Sequence, residues 1–115
     1  MPRRIKTYTA QTGYVYEYYF VGQRPALETA ATEYVFDVSN DRKVRYSVSV
    51  FLPQEVVQGW AEGHRRKPSE AEQYAAVKMR LLRRFDEIED MLGQGRSLAV
   101  EREQMEEFLR ELGIG

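Results

Sequence analysis

From Tyr14 to Val21 the chain reads Tyr-Val-Tyr-Glu-Tyr-Tyr-Phe-Val, and each even-numbered residue in the run is aromatic. Successive side chains of a strand point to opposite faces, so Tyr14, Tyr16, Tyr18 and Phe20 share one face of a sheet. The same parity continues downstream. Tyr34, Phe36 and Val38 follow, then Val44, Tyr46, Val48 and Val50, all at even positions. The odd positions are mixed: Val15, Glu17, Tyr19 and Val21, then Val35, Asp37 and Ser39, then Arg45, Ser47, Ser49 and Phe51. One face is apolar and aromatic, the other half polar. An antiparallel sheet with one face on a core and one toward water shows this alternation.

Ser39-Asn40-Asp41-Arg42 supplies turn chemistry between the second and third segments. A two-residue loop would place the two apolar sets on opposite faces, whereas an odd loop keeps them together. A three-residue loop, Asn40 to Arg42, is therefore expected, pairing Phe36 with Tyr46 and Asp37 with Arg45. An earlier strand, Arg4 to Ala10, precedes the turn signal Gln11-Thr12-Gly13. The sheet is expected to be an antiparallel meander of three or four strands.

Composition changes at Pro53, after which Glu, Arg, Gln, Ala and Leu recur with helical spacing. Pro53 suits a first helical position, and Val56, Val57 and Trp60 form an apolar stripe before Gly63. Ser69 and Glu72 match a capping box. From there Tyr74, Val77, Leu81, Phe85, Ile88 and Leu92 repeat at three-to-four-residue spacing up to Gly93, which predicts a helix about 35 Å long. Leu98, Met105, Phe108, Leu109 and Leu112 read as a last helix, with Ser97 to Val100 open to being a short strand instead.

These halves make one α+β domain over residues 1–115, with the sheet at about 4–52 and two or three helices at about 53–113 packed on the even face. The chain's 115 residues suffice for one core and not for two. Seventeen Lys and Arg against 18 Asp and Glu leave a net charge of −1, which argues against generalised attraction to polyanions. There is no cysteine, so disulfides, thiolate metal sites and thiol nucleophiles are excluded. No apolar run resembles a signal-peptide core or a membrane span, and a soluble cytoplasmic protein is expected.

Chemistry-bearing motifs are sparse. The single histidine, His64, precedes Arg65, Arg66 and Lys67, and a solvent-exposed linker side chain is expected. One imidazole and no thiolate make a transition-metal site unexpected, and no cofactor motif is present. Glu17 and Asp37 share the odd face and resemble a carboxylate pair for acid–base work, but Arg45 is the expected partner of Asp37. Enzymatic activity is not expected. Arg3, Arg4 and Lys6 form one basic cluster and Arg65, Arg66 and Lys67 another; beside sheet aromatics these would suit single-stranded nucleic acid. Burial of the even face would leave too few free rings for that.

Self-association has the most sequence behind it. Arg83 and Arg84 precede Glu87 and Asp90 on the long helix, so a second copy running antiparallel would set basic against acidic segments. The odd face, with Glu17, Tyr19, Val35 and Phe51, is more apolar than a solvated face and is expected to meet a partner, first a dimer mate. A binding module acting as a homodimer is the leading expectation. A small-molecule pocket near Trp60, with Tyr16 and Tyr46 as polar handles, is the other.

Overall fold

The computed structural model describes residues 4–115. Among them, five strands form one sheet in the order β1 (Lys6–Thr9), β2 (Val15–Ala26), β3 (Ala31–Ser39), β4 (Tyr46–Pro53) and β5 (Ser97–Ala99). The first four run antiparallel, joined by hairpins, as alternation and turn chemistry require. The last is parallel to β4, and a parallel neighbour needs a crossover. Here helices α1 (Gln54–His64), α2 (Glu70–Glu87) and the single turn α3 (Met91–Gln94) supply it, and α4 (Arg102–Glu111) follows β5. The fold class is α+β, and the fifth strand exceeds the expected meander.

Even parity holds in the core. Tyr16, Tyr18, Tyr34, Phe36, Val38, Tyr46, Val48 and Val50 are buried, while Tyr14 is 41% and Val44 49% exposed because both fall just outside the strands. The aromatic strand closes on two side chains of α2. The Phe85 ring stacks on Tyr16 with centroids 4.0 Å apart and planes within 6°, flanked by Tyr8 and Tyr18 at 6.1 and 6.0 Å. Three helical turns earlier, Tyr74 meets Phe20 edge-on at 5.0 Å, with Phe36 and Tyr34 at 6.2 and 6.4 Å. Helix α4 buries Met105, Phe108 and Leu109, packing against α1 and α2.

Three sequence expectations are corrected. The hairpin between β3 and β4 keeps the required parity but is two residues longer than expected, since Val38 pairs with Tyr46 and Phe36 with Val48. Side chains set the larger loop. Ser39 Oγ accepts from Arg42 N at 3.0 Å, and Asp41 Oδ1 accepts from Lys43 N and Val44 N at 2.8 and 2.9 Å, with Arg42 left-handed at φ 64°. Second, the long helix stops at Glu87, not Leu92, so 18 residues span about 27 Å. Ile88 is extended, and Asp90 turns its carboxylate onto Gly93 N at 3.0 Å to start α3. A run of Asp86, Glu87, Glu89 and Asp90 opposes continuation, because carboxylates repel the negative end of a helix. Third, α1 passes Gly63 and ends at His64, with Arg65 in the left-handed conformation at φ 57°. Pro53 stands one residue earlier than expected, as N-cap; the Ser69–Glu72 capping box forms as read.

A bulge at Val21 separates the pairs Phe20↔Phe36 and Gly22↔Val35, shifting the later half of β2 by one residue. Arg24 thereby joins the outer, odd face opposite Glu33, and Pro25 falls opposite Thr32. β1 pairs only as far as Tyr18, so the later half of β2 is an edge within the described residues. A bulge and a proline are the devices that discourage further pairing on such an edge. At the other edge, Arg80 is 8% exposed and donates from Nε to Ala99 O at 2.9 Å, tying α2 to β5.

Candidate functional site

Helices α1 and α2 cover the even face; no helix among the described residues crosses the odd one. That outer face carries a cross-strand network built on strand register. Tyr19 sits opposite Asp37 and donates its hydroxyl to Asp37 Oδ2 at 2.9 Å. Arg45 reaches Asp37 diagonally at 3.1 Å, lies 3.9 Å from Glu17 and sits over the Tyr19 ring at 5.8 Å, while Arg42 is 3.7 Å from Glu17. Arg24 bonds Glu33 at 2.7 Å, and Ser49 Oγ donates to the same carboxylate at 2.6 Å. These contacts hold the Glu33 carboxyl below its ordinary range, the Arg24 hydrogen bond first. The Glu17 and Asp37 carboxylates are thus joined by one guanidinium, an arrangement that fixes charge and leaves no free acid and base facing each other.

Between the two charged groups lie Val21, 43% exposed, and Val35, partly exposed; beyond Glu17 Val15 is 46% exposed, and Phe51, partly exposed, lies opposite Glu33. Val21, Gly22, Arg24, Val35 and Ser47 line a shallow cleft of about 410 Å³. A second, of about 490 Å³, runs past Phe51, Pro53, Leu98 and Ala99 toward β5.

The residues expected to form a pocket do not converge. Tyr16 is fully buried under Phe85, Tyr46 is 7% exposed beyond it, and Trp60 packs elsewhere, between α1 and α4. A cleft of about 220 Å³ beside Trp60 is walled by Val56, Gly59, Arg102, Glu103 and Glu106, without the tyrosines. Burial pushes the phenols of Tyr16 and Tyr46 up, and neither hydroxyl finds a hydrogen-bond partner among the described residues. They are core side chains.

Trp60 is instead the centre of a stack absent from the sequence reading. His64, one turn later, lies on its ring at 4.1 Å, and Arg66 sits over it at 4.9 Å. His64 Nε2 is 2.9 Å from Glu106 Oε2, a carboxylate 42 residues away on α4. Proximity in sequence could not find this partner; the i,i+4 spacing of Trp60 and His64 was the available signal. Among the described residues no group of three or more His, Cys, Asp or Glu is placed to hold a metal.

The charges expected to form a helix seam are engaged within the chain. Arg83 grips Glu107 of α4 in a fork at 2.8 and 3.2 Å, lies 3.8 Å from Glu111, and covers the Phe108 ring at 4.7 Å. Arg84 and Arg80 both approach Glu87, at 3.8 and 3.6 Å. Asp86 accepts from the Tyr8 hydroxyl at 2.7 Å and Gln11 N at 2.9 Å, which pushes the Tyr8 phenol up to about 12. With Glu87 at a helix end and Asp90 capping another, the basic-to-acidic ribbon does not exist as one helical face.

The two basic clusters fare differently. Arg66 is forked onto Glu72 at 2.8 and 3.0 Å, Arg65 is exposed at the end of α1, and Lys67 borders a cleft with Thr32 and Gln73. Arg3 lies outside the described residues. Arg4 and Lys6 line a cleft with Tyr18, Tyr19, Phe20 and Tyr74. Of the other even-face aromatics Tyr16, Tyr34, Phe36 and Tyr46 are buried and Tyr14 alone is exposed among the strand-spanning run, so no broad stacking platform exists on that face. No described helix is long and apolar enough to cross a membrane. Comparison of the chain with protein families, curated proteins and solved structures returned no match.

Proposed function

We propose that this chain is a non-enzymatic interaction module that works as a homodimer through the outer face of its sheet. The observation that carries this reading is the face itself: the exposed Val15 and Val21 and the partly exposed Val35 and Phe51 stand beside charges already neutralised in place. Arg24, Arg42 and Arg45 are matched by Glu17, Glu33 and Asp37, so the face offers no net field to a polyanion. Its best match is a surface equally apolar and equally neutral, and a second copy provides one without like-charge contact.

Size is consistent with a modest dimer. Five strands about 4.8 Å apart and about 20 Å long give a face of roughly 500 Å². Two such faces bury about 1,000 Å² or somewhat more, at the lower end of specific interfaces. Such a pairing would resemble the packing of two sheets about 10 Å apart in a sandwich.

Sedimentation equilibrium tests the proposal. The wild-type chain is expected to be dimeric at tens of micromolar. Val35→Asp, which sets an unpaired carboxylate in the middle of the face, should be monomeric with unchanged far-ultraviolet circular dichroism. Arg83→Ala, on the helix side, should stay dimeric. A monomeric wild type at that concentration, or a Val35→Asp dimer, overturns the reading.

A further inference from the structure

Away from the outer face, where the start of β1 meets β2 and α2, the chain gathers cations that it does not neutralise. Arg4 and Lys6 stand at the mouth of a cleft of about 200 Å³ whose walls are Tyr18, Tyr19, Phe20 and Tyr74. Lys78 follows Tyr74 by one helical turn on α2, so both project from the same side of the helix. Lys6 is close enough to repel it. Among the described residues Arg4, Lys6 and Lys78 make no ion pair, whereas Arg66, Arg80, Arg83 and Arg84 of the helical half all have carboxylates within 4.0 Å.

We propose that this cleft binds a small anion carrying a planar ring, with a nucleoside phosphate as the representative ligand. Two cations line the cleft and a third, Lys78, lies close enough to Lys6 to feel its charge, which together call for negative charge. Half-burial and the nearby Lys6 charge depress the Lys78 ammonium, a burden that an incoming phosphate relieves. The ring requirement comes from the walls. Phe20 and Tyr74, which meet edge-to-face at 5.0 Å, line the cleft together with Tyr18, so a base entering it meets aromatic walls. The Tyr18 and Tyr74 hydroxyls lie near each other and, among the described residues, make no hydrogen bond, so both remain available to ligand acceptors.

The volume suits a single nucleotide unit and not a duplex. A free mononucleotide and the end of a single strand present the same chemistry, and the test separates them. The site shares Tyr19 with the outer face, but Tyr18, Phe20, Tyr74 and Lys78 lie on the helix side of the sheet, and the Val35→Asp test of the dimer does not touch it.

Isothermal titration of the full chain with adenosine monophosphate, adenosine, inorganic phosphate and a short single-stranded oligoadenylate is the experiment. Adenosine monophosphate should bind in the millimolar range or tighter, with adenosine and phosphate each about tenfold weaker. Lys78→Met and Tyr74→Leu should each weaken that binding by about tenfold or more. Unliganded Lys78→Met should melt no lower than wild type, because it removes an unpaired, half-buried charge; loss of binding is then not loss of fold. An oligoadenylate that binds tighter than the mononucleotide, with the same Lys78 dependence, supports the site and assigns a strand end as its source. The proposal is overturned by no binding of any probe at millimolar concentration, by phosphate binding as tightly as the nucleotide, or by Lys78→Met and Lys6→Gln variants that bind as wild type does.

Discussion

Phe85→Ala is the substitution that interrogates the core most directly. Phe85 is fully buried and receives Tyr16 face-on, with Tyr8 and Tyr18 at its edges. Removing a buried phenyl ring costs about 3–5 kcal/mol, and the upper part of that range applies when the cavity cannot collapse. Here it cannot close easily. Tyr8, Tyr16 and Tyr18 are anchored on paired strands, with Tyr8 opposite Tyr16, and their backbones are held by the ladder. A domain of this length is stable by roughly 6–17 kcal/mol, so the variant should fold but with a large share of its stability gone. At about 4 °C per kcal/mol, the melting temperature should fall by about 12–20 °C. Urea titration followed by Trp60 fluorescence and circular dichroism measures this, since Trp60 lies between α1 and α4 and reports global unfolding. A cycle with Tyr16→Leu and Phe85→Leu should show coupling of about 0.5–1.5 kcal/mol from the stacked rings. A loss below about 1.5 kcal/mol for Phe85→Ala, or no coupling to Tyr16, would refute the claim that this stack anchors α2 to the sheet.

Other outcomes follow from the unpartnered and paired groups. Tyr16→Phe and Tyr46→Phe should each stabilise the chain by about 1 kcal/mol, because each removes a buried hydroxyl with no hydrogen-bond partner; a loss of stability in urea titration would mean the hydroxyls are satisfied. Glu72 is held down to about 2 from an ordinary 4.5, first by the Arg66 guanidinium and then by Ser69 N. Its stabilising contribution is therefore complete above about 4.5 and lost as pH falls toward about 2, so the melting-temperature gap between wild type and Glu72→Gln should narrow across that window and stay flat from pH 6 to 8.

The sheet was readable because side-chain period is a property of the strand alone. Tyr16, Phe36 and Val48 announce their common face whatever lies across from them. Features decided by distant or sideways contacts were not readable. Ser97 to Val100 reads as strand or helix from its own residues, and the pairing that settles it as β5, Ser49 N to Arg96 O and Val100 N to Phe51 O, lies across the sheet. The end of α2 depends on Asp90 turning to cap Gly93, a choice that helical periodicity through Ile88 and Leu92 conceals. The charged ribbon misled because its partners sit on α4: Arg83 finds Glu107 24 residues later. His64 reads as a linker side chain from its basic neighbours, and Glu106 is a neighbour only in the folded chain. The cationic cleft mixes both kinds. Arg4 and Lys6 stood out as a cluster, but Lys78 and Tyr74 join them only once α2 lies across the sheet.

The parallel placement of β5 has a consequence for the order in which the chain can be sealed. Leu98, Val100, Met105, Phe108 and Leu109 are all 3% exposed or less, and they arrive after a crossover that begins at Pro53. While residues are added one by one during synthesis, the four antiparallel strands and α2 can dock early, but the flank of β4 and the inner sides of α1 and α2 stay wet until residue 109 has left the ribosome. The nascent protein therefore carries an open strand edge and an unclosed apolar seam until β5 and α4 emerge. Its need for protection from aggregation should be greatest in the interval after β4 and α2 have emerged and before α4 has.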